Sequence, residues 1–158
     1  MIKRYKVGTP FELIIDDNKS QFHRSTLLKE LPDNRQILRV ESNDELPQTY
    51  YSLVENGKLL AYIKGFGDKN WFHIQRIENS TADNKSGLSL LSKIHPEMER
   101  DLKKRGVELI TTNALARLAP ILVKRYGFKA KNGKTYEQLK NSWLRFISIK
   151  TVHLGKKI

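Results

Sequence analysis

Cysteine is missing from the chain altogether. Disulfides, thiolate metal sites and a cysteine nucleophile are thereby excluded. No apolar run approaches the ~20 residues that a membrane-spanning helix needs, and the opening stretch MIKRYKVGTP is charged. A soluble, cytoplasmic protein with no membrane partner is the expectation. Histidine is sparse. His23, His73, His95 and His153 are scattered without metal-ligand spacing, so no metal site is expected. Acidic side chains run out toward the end: residues 100–158 hold 15 Lys/Arg against 3 Asp/Glu.

What is present points to a folded protein. A chain of 158 residues with 39% hydrophobic residues can bury a core without a metal or a disulfide. One domain over residues 1–150 and a loose C-terminal tail over 151–158 are expected, with residues 1–35 the hardest to read. The net charge of +12 arises entirely in the last third, because residues 1–99 hold 14 charges of each sign. Solubility alone accounts for such an excess. So does an anionic partner, either a phosphorylated cofactor or a nucleic acid bound through basic residues within 100–158.

The chain divides into recognisable elements. PFELII suits a short strand, QFHRSTLLKEL (21–31) a helix, and QILRVES (36–42) a strand. Residues 50–67 carry two β-prone runs around Asn56-Gly57, a hairpin signal because the tight turn needs positive φ. NWFHIQRIEN follows as a strand. Its alternation puts Phe72, Ile74, Arg76 and Glu78 on one side and His73, Gln75 and Ile77 on the other. A helix is expected from about Leu88 to Lys104, with Leu88, Leu91, Ile94, Met98 and Leu102 on its apolar stripe. Pro96 should kink it or split it in two. VELITTN (107–113) reads as a buried strand, and ALARLAPILVKRYGF as a second helix closed by Gly127. TYEQLKNSWLRFISIK (135–150) reads as one or two final strands. Trp71, Phe72, Trp143 and Phe146 lie on these strands, where aromatic rings could stack on bases; alternation favours core packing instead.

One segment stands where chemistry is expected. Asn84, Lys85, Ser86, Gly87, Leu88 and Ser89 form a polar stretch between a strand and a helix. Free backbone N–H groups and the helix dipole favour an anion there. Gly87 permits close approach, Lys85 adds charge, and the two serines add hydroxyl donors. An ordinary helix entry with Asn84 or Ser86 as N-cap uses the same residues.

The order of elements from about Gln36 to Lys150, roughly three quarters of the chain, resembles the GNAT N-acetyltransferase superfamily. The hairpin at Glu55–Ile63 matches in type. So do the helix-to-strand junction Arg105-Gly106-Val107-Glu108-Leu109-Ile110 and the helix ending Arg125-Tyr126-Gly127-Phe128. The resemblance implies an α/β (α+β) fold: a mixed, mostly antiparallel central sheet flanked by helices. It implies acetyl-CoA as cofactor, with the segment Asn84–Ser89 as the pyrophosphate loop and Asn113 touching the pantetheine arm. Asn113 would also serve as N-cap of the second helix. The pattern departs at three places. Asn84 stands where the family has Gln or Arg, and Ser89 where it has Gly or Ala. Val123 stands where it often has a tyrosine that protonates the departing thiolate.

The implied reaction is direct attack of an amine on the acyl group. Glu78, at the end of its strand, is the leading candidate base, with His73 second. Tyr126 is the candidate acid, three residues past Val123. The acceptor is an amine on a protein, a small molecule or an RNA. The other function compatible with these residues is a catalytically inactive GNAT-like module whose basic face binds nucleic acid or a protein partner.

Overall fold

The computed structural model of the chain describes residues 2–17, 48–56, 58–79, 84–115, 118–130 and 151–158. Eight strands and two helices lie among them. The strands are β1 (Ile2–Lys6), β2 (Phe11–Asp17), β3 (Thr49–Glu55), β4 (Lys58–Gly67), β5 (Trp71–Asn79), β6 (Leu109–Leu115), β7 (Lys129–Ala130) and β8 (Thr151–Lys157). The helices are α1 (Asn84–Lys104) and α2 (Ala119–Tyr126). The strands form one sheet in the order β1-β2-β3-β4-β5-β6-β8-β7. It is mostly antiparallel, and β5 and β6 are parallel, as a strand–helix–strand crossover through α1 requires. The fold is the mixed α+β architecture expected from the sequence.

The described residues group into two compact units. The first comprises residues 1–66 and 75–101, and its centre is β2, β3 and β4. Strands buried on both faces read as continuous apolar runs rather than alternating ones. That is how LII, YYSLV and LLAYI read, and Leu13, Ile15, Leu53, Ile63 and Tyr51 are all essentially inaccessible. On the opposite side of the same strands, Ile14, Tyr50, Val54, Leu59 and Tyr62 form a second cluster. The β3–β4 connection falls where expected, between Glu55 and Lys58. Asn56 takes a left-handed φ of 50°, and Glu55 pairs with Lys58 across it.

The second unit comprises residues 67–74 and 102–158. The beginning of β5 pairs with β6 from Trp71↔Leu109 to Ile74↔Thr112, and β6 pairs along its whole length with β8. Phe72, Ile74, Ile110, Thr112, Ala114, Leu154 and Ala130 are buried on one face. Gly127 closes α2 in a left-handed conformation, with its N–H donated to the Leu122 carbonyl.

Several expectations are corrected. Pro96 does not split its helix: α1 runs through it as one 21-residue element. Proline removes a single intrahelical hydrogen bond, and Pro96 is exposed. The same helix begins at Asn84 rather than Leu88, so Asn84–Ser89 is helical backbone and not a loop. The strand expected at 107–113 is shifted to Leu109–Leu115, because Ala114 and Leu115 find partners in Val152 and Thr151. Asn113 is consequently inside β6 and caps no helix. The residue before α2 is Leu118, which makes no side-chain cap, and Pro120 lies in the first turn, where its missing N–H costs nothing. The tail is not loose. Residues 151–157 are β8, with Leu154 buried between seven ladder pairs to β6. Trp71 is not core but 38% exposed, whereas its neighbour Phe72 is buried as expected. The helix expected at 21–31, the strand at 36–42, the strands at 135–150, and Trp143 and Phe146 lie outside the described residues. No described helix is long and apolar enough to cross a membrane.

Candidate functional site

The anion-binding candidate is built by α1. The first four N–H groups of any α-helix lack intrahelical acceptors. Here they belong to Asn84, Lys85, Ser86 and Gly87. A first-turn Asp or Glu would satisfy them and neutralise the helix dipole, but α1 has none. The donor set therefore fits a pyrophosphate. Ser89, in the second turn, is exposed.

Glu78 is the penultimate residue of β5 and pairs with Arg76 at 3.5 Å on the same side of the strand. The pair is partly exposed, so it orients the carboxylate more than it stabilises the fold. Glu78 and the start of α1 belong to the first unit.

The other candidates belong to the second unit. Nδ1 of His73 lies 2.9 Å from the Thr111 hydroxyl, its cross-strand partner. Burial lowers the His73 pKa, and the neighbouring His153 lowers it further. His73 is therefore neutral near pH 7 and able to accept a proton. Asn113 is exposed on β6, and its Oδ1 lies 2.7 Å from Nδ1 of His153 on β8. Sequence reasoning missed the role of His153. The signal was the alternation V-H-L-G in a segment read as loose. Tyr126 ends α2 half-buried. Burial raises its pKa and the adjacent Arg125 opposes that shift, so the phenol stays protonated at neutral pH.

The β5–β6 ladder stops at Ile74↔Thr112, although β5 continues to Asn79 and β6 to Leu115. Beyond Thr112, β6 keeps its ladder to β8.

No family model matches the chain, and no curated protein matches it. Solved structures do. An acyl-CoA N-acyltransferase from Pseudomonas aeruginosa aligns with a TM-score of 0.58 at 15% identity, covering 92% of this chain and 99% of that one. The PaiA N-acetyltransferase from Thermoplasma acidophilum, in complex with coenzyme A, aligns with a TM-score of 0.55 at 15% identity, covering 91% and 99%. The AHL synthase LasI aligns with a TM-score of 0.61 at 9% identity, covering 95% and 91%. Likeness at such identities speaks to architecture and not to reaction. The chain has the fold of the GNAT acyltransferases.

Proposed function

We propose that the protein is an acyl-CoA-dependent N-acyltransferase that uses acetyl-CoA and passes the acetyl group to an amine. The observation that carries this reading is the start of α1 at Asn84, five residues after β5, with no acidic side chain in its first turn. The PaiA N-acetyltransferase, similar in fold, was solved in complex with coenzyme A, which supports the class of cofactor.

The backbone N–H groups of Asn84–Gly87, within the segment Asn84, Lys85, Ser86, Gly87, Leu88 and Ser89, hold the pyrophosphate. Asn113, held by His153, offers its amide to the pantetheine arm. When bound, acetyl-CoA supplies an activated thioester carbonyl. Glu78 accepts the proton of the incoming ammonium, because an amine attacks only when neutral. His73, with its lowered pKa, is the second acceptor for that proton. Tyr126 keeps its phenolic proton at neutral pH and can give it to a thiolate. The acceptor amine belongs to a protein, a small molecule or an RNA, and the cell compartment is the cytoplasm.

Calorimetry with acetyl-CoA tests the reading, on the wild type and on Gly87→Asp. The substitution puts a negative charge at the first-turn N–H groups. Micromolar binding that the variant loses is the expected result. A folded wild type that binds no acetyl-CoA overturns the proposal.

A further inference from the structure

The second unit presents a four-stranded sheet, β5-β6-β8-β7, with two unlike faces. One face is the core already described. The other begins with Trp71 and Leu109, cross-strand partners that are 38% and 37% exposed. Lys157 continues that row on β8. The next row runs His73, Thr111, Gly155 and Lys129, and beyond it Asn113 faces His153. Gly155 contributes no side chain, so the floor there is backbone.

A solvated sheet face is normally polar throughout. An exposed indole next to an exposed leucine departs from this and calls for an occupant. Charge identifies it. The exposed acids of the described second unit are Asp68 and Glu108, whereas Lys129, Lys157, the run Lys103–Arg105 and the pair Lys124–Arg125 are exposed and basic. A second copy would bring the same positive field against this one. A polyanion with flat apolar rings matches both features.

We propose that this face binds single-stranded RNA. Trp71 stacks on a base, and Leu109 packs beside it. Lys129 and Lys157 engage phosphates. Four-stranded sheets with exposed aromatic residues take two or three bases in this way. The bonded pairs His73–Thr111 and Asn113–His153 add donors and acceptors to the same face. This face shares His73, Asn113 and His153 with the proposed acyl-transfer site, but RNA binding does not require acyl transfer.

The test is fluorescence anisotropy with a labelled single-stranded 12-mer RNA of mixed sequence, on the full chain, across a salt series. The variants are Trp71→Ala, Trp71→Tyr, Lys129→Glu and Gly155→Val, each checked for folding by circular dichroism. Trp71→Ala should weaken binding about tenfold without changing the salt slope, because stacking is not ionic. Trp71→Tyr should retain most of it. Lys129→Glu should weaken binding at low salt and flatten the slope by at least ~0.7, the value for one lost phosphate contact. Gly155→Val, whose Cβ meets nothing closer than the Cδ1 of Leu109 at 3.8 Å, should weaken binding as well. If Trp71→Ala, folded, binds as the wild type does, the face is only a generic polyanion sink and the proposal fails. Duplex RNA or same-sequence DNA binding as tightly also overturns it. So does a concentration-dependent dimer that Trp71→Ala abolishes, which would assign the face to a second copy.

Discussion

The hydroxyl of Tyr51 donates to the carboxylate of Asp101 across 2.8 Å, tying the middle of β3 to the later turns of α1. Both residues are buried. Lys3 also reaches this carboxylate, at 3.4 Å, but its side chain is 41% exposed. A hydrogen bond to a charged acceptor contributes about 1.5–3 kcal/mol, and an exposed ion pair about 1 kcal/mol or less. Tyr51→Phe should therefore lower stability by about 2 kcal/mol, and Lys3→Ala by much less. Urea unfolding of the two variants measures both. Equal losses would mean that the buried hydroxyl contributes no more than the exposed ion pair.

His73 should make stability depend on pH on the acid side. Burial and His153 both lower its folded pKa below the ordinary value of about 6.5. Between those two pKa values the unfolded chain binds more protons than the folded one, so stability rises with pH. The contribution is fully present above about pH 6.5 and is lost as pH falls through the lowered folded value. His73→Gln should flatten that part of the profile. His153→Gln should move the His73 titration upward, because it removes the second cause and leaves the first. NMR titration of the imidazole resonances follows both effects. A His73 that titrates at its ordinary value in the wild type contradicts them.

Legibility in the sequence followed the range of the forces involved. The β3–β4 turn is readable because the conformation Asn56 adopts is a local property of Asn-Gly. The apolar stripe Leu91, Ile94, Met98 and Leu102 is readable because helical period alone puts those residues on one side, and all four are buried. Tertiary pairing is not local, and there the reading failed. HLGKK looks like a tail until β6 supplies the edge it pairs with. Asn113 looks like a cap because the apolar run behind it begins at once, but that run starts as strand and becomes helix only at Ala119. Trp71 looks like core by alternation with His73, yet the face they share is the open one. In the candidate site, Glu78 and its Arg76 partner are readable, because alternation along one strand puts them on the same side, whereas the His153 contact to Asn113 depends on register.

Gly67 should be intolerant of any side chain. A Cβ there would collide with the main-chain oxygen of Trp71 and lie 2.8 Å from the Cα of Phe72. Backbone atoms cannot rotate aside, so relief requires the turn between β4 and β5 to move. Gly67→Ala should cost about 1–3 kcal/mol, the range for overpacking. Gly155→Ala is the control. Its nearest neighbour is the Cδ1 of Leu109 at 3.8 Å, an ordinary contact. That variant should be neutral or slightly stabilising, since glycine within a strand is itself unfavourable by about 0.5–1 kcal/mol. Thermal melts of the pair separate close approach from general sensitivity of the sheet.

Pro96 should be a site where stability can be gained. It sits inside the 21 residues of α1, is exposed, and has no N–H for the Ser92 carbonyl one turn back. Proline in a helix interior is about 3 kcal/mol less favourable than alanine. Part of this is offset because proline also restricts the unfolded chain, by about 0.4–1 kcal/mol. Pro96→Ala should then raise stability by about 1–3 kcal/mol in urea unfolding with an unchanged m-value. A loss instead would show that the apolar side of α1, with Ile94 and Met98 buried either side of Pro96, packs correctly only on a helix bent by the proline ring.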